Sequence, residues 1–405
     1  MTQAIPTDVQ TTKQSPGKPS GEEMVRRAQE LLPALRSRVG EADELRRLPD
    51  ATIADLKRLG FFRMLQPARW GGFELDPQYF FESQWTIASA CPSTAWVLGV
   101  VAVHSWQLAL FPLEAQEEVW GKDTDVLISS SYAPTGKVQK VDGGYEITGR
   151  WSFSSGCDHC DWVFLGGFVP TESGPPDMRT FLLPKRDYVI EDNWHTMGLR
   201  GTGSKDVVVD GAFVPEHRTH KFSDGFKQKS PGNELNPAPL FKLPFGQIFV
   251  RSVSTSAIGM AQGALNAFLE VARGRIAASD GSKVFLDPTT QVVASEAEAT
   301  IDECRAVLLR AFDRMMTAVR AGEAIPIDAR VKYRYESGIV ATKCMGVVDQ
   351  LMSASGGRAI FHGSPIQRYF LDVHCARAHY ANNPDKPGRN YGGVQLGQKT
   401  TDFFI

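Results

Sequence analysis

The sequence predicts an α+β protein in three consecutive blocks: a helical N-terminal domain, a central β domain built as a small barrel or sandwich, and a C-terminal four-helix bundle. Three observations carry this. Apolar residues recur at helical spacing up to about residue 124 and again from about residue 249. Between those points, short runs rich in Val, Ile, Tyr, Phe and Trp alternate with Gly, Asp and Pro, with no helical stretch among them. The chain of 405 residues is also long enough for two or three domains.

Residues 1–20 are polar, rich in Thr, Gln, Pro and Ser, and lack the apolar core of a secretory signal, so they are expected to be a disordered leader. The N-terminal domain is placed at 21–124. Leu31, Leu32, Leu35 and Val39 recur at near-helical spacing, as do Ile53, Leu56, Leu59 and Phe62, the second helix starting at Pro49-Asp50 with Asp50 as its cap. Pro67 and Trp70-Gly71-Gly72 interrupt the pattern, and Pro77 to Ala90 resumes it. Ala95 to Pro112 is the most apolar stretch. It carries His, Ser and Gln and falls short of the roughly 20 apolar residues of a membrane span, so it is expected to be a buried core helix. Ala115 to Trp120 is a short helix closed by Gly121.

The β domain is placed at 125–225, with strands expected at Val126 to Tyr132, Gly144 to Gly149, Trp162 to Val169 and Thr180 to Pro184. Asp142-Gly143-Gly144 has the composition of a hairpin turn. A polar stretch with several Pro and Gly at 226–248 is expected to be a linker. The bundle follows at 249–405. Its long helices are expected at Ser252 to Arg275, Gln291 to Ala321, Pro326 to Ser355 and Ile366 to Asn382.

Lys plus Arg total 44 and Asp plus Glu 46, a formal charge of -2, which lacks the basic surplus of a nucleic-acid binder. Neither a nucleic acid nor a membrane is expected as a partner. Six sparsely spaced cysteines suit a cytoplasmic chain rather than a disulfide scaffold. No metal is expected either. Cys157-Asp-His-Cys160 has no second Cys pair to complete a zinc site, and no His-Glu-x-x-His pair occurs. Gly198-Leu-Arg-Gly-Thr-Gly-Ser204 tempts a dinucleotide reading, but it runs into Val207 to Val209 inside an all-β stretch, so it is expected to be a turn that starts a strand.

Among the histidines, His104 interrupts the most apolar helix and is either a satisfied core residue or a pocket residue. His374 and His379 lie near the end of the last long helix, where a domain junction would make an active-site position. Ile128-Ser-Ser-Ser-Tyr132 and Trp151-Ser-Phe-Ser-Ser-Gly156 are hydroxyl-rich strand segments. They suit either a solvated sheet face or the lining of a flat aromatic ligand with a polar edge.

Leu59-Gly-Phe-Phe62, Gln66-Pro67, Trp70-Gly-Gly72, Gly198 to Ser204 and Phe213-Val-Pro215, in this order of domains, resemble the acyl-CoA dehydrogenase superfamily. The resemblance covers the chain from about residue 22. Acyl-CoA dehydrogenases commonly carry a glutamate base near a Glu-Gly-Thr-like turn in the bundle, whereas Pro365 to Pro384 has neither. That stretch is instead similar to the oxygenase components of two-component, reduced-flavin-dependent aromatic monooxygenases. Leu45-Arg-Arg-Leu-Pro49, Ala115 to Gly121, Ile128 to Pro134 and Ser154 to His159 are similar to members that hydroxylate a phenolic seco-steroid. Members that use hydroxyphenylacetate, halophenols or nitrophenols share part of the set.

The resemblance implies an enzyme that ortho-hydroxylates a phenol to a catechol through a C4a-hydroperoxyflavin. Its cofactor would be reduced FMN, with FAD as the alternative, its co-substrate O2 and its partner a separate NAD(P)H:flavin reductase. A homotetramer is expected on separate grounds: the four long C-terminal helices have apolar faces beyond one bundle's need and would pack against copies of themselves. Trp96, Ser131, Trp151, Ser154, Ser155, His379 and Tyr380 are the implied flavin contacts, with Ser155 near N5. Arg275 would meet the phosphate tail across a subunit boundary, and Gly357-Arg358 would make a second such contact. His379 is the implied base that ionises the phenol, assisted by His104. The alternative reading is an acyl-CoA dehydrogenase-type flavoenzyme with tightly held FAD.

Overall fold

The computed structural model describes residues 18–278 and 280–405; the expected leader lies almost wholly outside them. Among the described residues six α-helices come first: α1 (Gly21–Ser37), α2 (Val39–Leu45), α3 (Asp50–Leu59), α4 (Pro77–Ala88), α5 (Pro92–Leu108) and α6 (Leu113–Trp120). Ser20 caps α1, its hydroxyl accepting from the Glu23 amide at 3.1 Å. Asp50 is the first helical residue of α3 rather than its cap. Pro49 holds the cap position, and the Asp50 carboxylate is drawn 2.7 Å from Arg47. α4 and α5 both begin with proline, whose missing N–H costs nothing in a first turn.

Eight strands follow: β1 (Ile128–Ser131), β2 (Lys137–Val141), β3 (Gly144–Ser154), β4 (Trp162–Val169), β5 (Asp177–Pro184), β6 (Val189–Glu191), β7 (Lys205–Pro215) and β8 (Thr219–Lys221). They form two four-stranded sheets, ordered β1-β4-β5-β8 and β2-β3-β7-β6, packed face to face as a sandwich. The β2–β3 hairpin turns at Gly143, whose φ of +75° suits a residue without a Cβ. β1 pairs with β4 in parallel, and all other pairs are antiparallel. Val163, Leu165, Phe181 and Leu183 face the inter-sheet core, while Phe164 and Leu182 face α5 and α6. The sheet holding β4 and β5 is thus covered on both sides, which explains the continuous apolar run of β4.

The remaining helices are α7 (Phe222–Lys227), α8 (Phe245–Gly274), α9 (Pro288–Arg320), α10 (Ile327–Gly338), α11 (Val340–Ala354), α12 (Pro365–Ala378) and α13 (Asp385–Gln395). The single helix expected over Pro326 to Ser355 is two, broken at Ile339. The break follows Gly338, where an added Cβ would sit 3.4 Å from Pro387 of α13. The stretch expected to be a linker is seated on the body: Leu240 and Phe241 are buried, and the Trp106 indole donates to the Leu240 carbonyl at 2.9 Å.

Helices of the first and last blocks share one continuous core, and α5 runs through it. All 17 residues of α5 are buried. Its crossings with α4 and α8 are close at Gly99, where a Cβ would lie 2.0 Å from Gln84 Nε2 and 2.6 Å from the Ser252 carbonyl. Gly99→Ala is therefore expected to destabilise by about 1–3 kcal/mol. Gly40→Ala, at an exposed position of α2 with open space around it, is expected to be neutral or stabilising by up to about 1 kcal/mol. Denaturant unfolding of both variants checks the pair, and equal effects would contradict the crossing.

Candidate active site

Three elements converge where the β domain meets the helices: α5, the end of β3, and the turn after α12. A bulge near the end of β3, between Trp151 and Ser154, shifts the pairing with β7. Phe153 takes a left-handed backbone there, φ +66°, and its ring is exposed. Trp151 before the shift points into the sandwich core, and Ser155 beyond it reaches α5. Trp96 of α5 donates its indole N–H to Ser155 Oγ at 3.1 Å. On its other side its ring meets His379 edge-to-face, with centroids 5.8 Å apart.

His379 sits just past α12, and its Nδ1 accepts the Ala381 amide proton at 3.2 Å, capping the following turn. Burial, reinforced by the Arg334 charge, lowers its pKa to about 4, so the ring is neutral near pH 7. With Nδ1 accepting, the neutral ring carries its proton on Nε2 and is a donor there. This revises the role expected for it. The nitrogen a base would use is occupied by the main chain, and the free one offers a hydrogen.

His104 has the opposite arrangement. Its Nδ1 donates to the Ile128 carbonyl at 2.6 Å, leaving Nε2 as an acceptor, and that atom is buried without a partner. Burial lowers its pKa to about 4 against the opposing effect of the Ile128 bond.

The hydroxyls of Ser129 and Ser154 are likewise buried without partners. Buried polar atoms without protein partners, gathered beside Trp96 and the end of β3, suit a polar-edged ligand. A flavin fits it: N–H and C=O groups on a flat ring would pair with Ser154, Ser155 and His104, and Trp96 supplies an aromatic wall. Next to this lies an aromatic box. Tyr132, Phe245 and Phe249 contact one another, with Tyr132–Phe249 centroids at 5.1 Å, and Phe404 from the last residues of the chain closes on Phe249 at 5.6 Å. Arg330 holds that segment, donating to the Ile405 main-chain oxygen at 2.7 Å.

The other expected contacts are distributed differently. Trp151 is buried in the sandwich core, its N–H satisfied by the Gly166 carbonyl at 2.8 Å, so it belongs to packing and does not cover a ligand. Ser131 ties β1 to β3 through the Ser152 carbonyl at 2.7 Å. Tyr380 is exposed beside His379, 5.4 Å between ring centroids. Arg275 caps α11, donating to the Ser355 carbonyl at 2.6 Å, and packs against Gly356 beside Gly357 and Arg358. His374 is turned to α11 and bonds Asp349 at 2.9 Å, apart from Trp96. Sequence reasoning missed Phe249, Phe404 and Asp372. The apolar Phe403-Phe404 pair following polar Lys399 to Asp402 was the available signal for the second of these. Asp372, the one acid on α12, is buried and accepts the Leu199 amide proton at 2.5 Å; burial raises its pKa to about 7.

Comparisons with known proteins give the chain's family and fold. Residues 252–384 match the family model described as acyl-CoA dehydrogenase, C-terminal domain. Over 382 residues the chain is 43% identical to the flavin-dependent monooxygenase, oxygenase subunit HsaA, of Rhodococcus jostii (strain RHA1), covering 94% of this chain and 100% of that one. It is 32% identical over 388 residues to the p-hydroxyphenylacetate 3-hydroxylase oxygenase component of Acinetobacter baumannii, covering 95% and 92%. Among solved structures, 3-HSA hydroxylase from Rhodococcus sp. RHA1 superposes with a TM-score of 0.91 at 42% identity, covering 95% of this chain and 99% of that one.

A neutral, buried His104 gives a signed pH dependence. Its pKa is about 4 in the folded state against 6.5 in the unfolded chain, so the stability of the neutral form is full above pH 6.5 and is lost as pH falls through about 4. His104→Asn keeps a donor for Ile128 but cannot protonate. The stability advantage of the unsubstituted protein over the variant should shrink steadily from pH 7 to pH 4.5 in thermal or denaturant unfolding. A constant difference would show that His104 titrates normally.

Proposed function

The chain belongs to the oxygenase components of flavin-dependent monooxygenases, and on that premise we propose that it hydroxylates a phenol ortho to its hydroxyl, giving a catechol, with a phenolic seco-steroid as the first substrate to test. The observation that carries this is Trp96, which joins the Ser155 hydroxyl on one side to His379 on the other. The acyl-CoA dehydrogenase alternative has no support on α12, whose one acid is engaged by Leu199.

Reduced flavin, taken as FMN with FAD as the alternative, arrives from a separate NAD(P)H:flavin reductase and when bound supplies the electrons that activate O2 for transfer to the ring. Trp96, Ser154, Ser155 and His104 hold it. Tyr132, Phe249 and Phe404 enclose the phenol and exclude water from the reacting groups. The His379 Nε2–H donates to the phenolic oxygen. A free phenol ionises near pH ~10, and a buried donor to the phenolate lowers that value and makes the ortho carbon a better nucleophile.

The chain is proposed to assemble as a homotetramer, bringing Arg275 and Gly357-Arg358 to a neighbour's flavin. Large apolar side chains left open on the C-terminal block support this: Leu286, Ile360, Phe361 and Leu396 are all more than 60% exposed. We also place it in the cytoplasm, on its six free cysteines.

Turnover with a generic flavin reductase and a panel of phenols that includes the seco-steroid tests the function, with catechol detected by mass. No product from any phenol would overturn it. Ser155→Ala should lower product formed per NADH several-fold and raise hydrogen peroxide correspondingly. His379→Ala should slow hydroxylation about 10- to 100-fold at pH 7, as expected for a lost charge-assisted hydrogen bond, with partial recovery above pH 9. His379→Gln, which keeps an N–H near the Nε2 position, should retain more activity than the alanine variant; equal losses would indicate a base. Light scattering at micromolar concentration should report a tetramer, and a monomer would sink that part.

A further inference from the structure

The hydroxyl placed against the flavin above is the end of a longer array. Ser155 Oγ lies 2.7 Å from Ser204 Oγ, Ser204 Oγ lies 2.7 Å from Thr202 Oγ1, and Thr202 Oγ1 lies 2.8 Å from the Leu199 carbonyl. All three hydroxyl side chains are buried. Each hydroxyl has one proton to give and two lone pairs to offer. The two ends of the array fix its direction. The Leu199 carbonyl only accepts, so Thr202 gives its proton there. Thr202 must then accept from Ser204, and Ser204 from Ser155. At the other end the Trp96 indole only donates, and it takes one lone pair of Ser155. Ser155 is left with its proton committed and a single lone pair that has no protein partner.

The anchor is held firmly. Leu199 has a left-handed backbone, φ +51°, its N–H is bonded to Asp372, and its carbonyl also accepts from the Trp194 indole at 3.1 Å. Gly198 packs so tightly on α12 that a Cβ would lie 2.4 Å from the Leu371 carbonyl. The carbonyl that sets the polarity therefore cannot turn away.

We infer that Ser204 and Thr202 are positioning residues that lock Ser155 as an acceptor toward its ligand, so that the site favours reduced flavin, whose N5 carries a hydrogen, over oxidised flavin, whose N5 offers only a lone pair. This rests on the flavin reading given above. Facing an oxidised N5, the Ser155 lone pair meets another lone pair and both stay unsatisfied. A buried unmade hydrogen bond of this kind corresponds to roughly a 5- to 100-fold loss of affinity. The discrimination suits a protein that must take its flavin already reduced and release it once oxidised.

The test is anaerobic binding of FMN and of photoreduced FMN to the full-length protein, by fluorescence or calorimetry. In Ser204→Ala the Ser155 proton loses its acceptor and is free to turn to N5. Affinity for oxidised FMN should rise and that for reduced FMN should fall, narrowing the ratio about tenfold, and Ser204→Thr should restore it. Thr202→Val, which removes the next acceptor with little change of shape, should narrow the ratio too and serves if the Ser204 variant does not fold. A ratio unchanged in the folded variants, or both affinities falling together, would overturn the inference and mark these residues as structural. Failure of the unsubstituted protein to bind either form would instead remove the flavin reading, and this inference with it.

Discussion

The full burial of α5 is the constraint on which the rest of the structure depends. A helix with no face to solvent must find a partner for every polar side chain it carries. Trp96 is tied to Ser155, His104 to β1, Trp106 to the segment before α8, and Gln107 to Tyr132. Gln84 reaches across from α4 to bond both α5 and α8, through the Ala95 and Ser252 carbonyls. These bonds point to different elements, so together they fix the β sandwich against the helices. The ligand groups of the site stand on the elements fixed in this way, and their positions follow from the packing of one helix.

Two histidines with the same lowered pKa have opposite hydrogen-bonding roles, because the main chain takes Nδ1 of each in a different way. The Ile128 carbonyl makes His104 an acceptor at Nε2, and the Ala381 amide makes His379 a donor there. Burial keeps both neutral, so the assignment holds across the ordinary pH range. The two imidazoles thus present one ordered acceptor and one ordered donor, both neutral, an arrangement suited to reading where a ligand carries its protons.

Much of this was legible in the sequence where a single local pattern decides the outcome. The apolar run from Ala95 announced a buried helix, and the alternating strands of the middle block announced a sandwich or barrel. The absence of a βαβ context made Gly198 to Ser204 a turn. What was not legible depends on contacts between distant segments. Trp151 and Trp96 look alike in sequence, yet the bulge beside Trp151 sends its indole into the sandwich core. The role of His379 turns on a bond to an amide two residues away that no spacing rule displays. The break at Ile339 lies one residue past Gly338 in a stretch that reads as one continuous helix, and α13 carries too many glycines and polar residues to stand out as a helix. Ser204 and Thr202 read as ordinary turn residues until the fold brings Ser155 beside them.

The left-handed backbone at Phe153 has a consequence for engineering this protein. A bulky residue with φ of +66° holds about 1–2 kcal/mol of strain that glycine would release. Any search for thermostable variants would rank that position highly, since its ring is exposed and meets only the edge of Trp194 among the aromatic rings. The same turn aims Ser155 at α5, and a freer backbone there would let the serine sample other directions. Gains in melting temperature and fidelity toward the cofactor's redox state would then be traded against each other at one residue, and a screen that scored heat resistance alone would select the leakier protein.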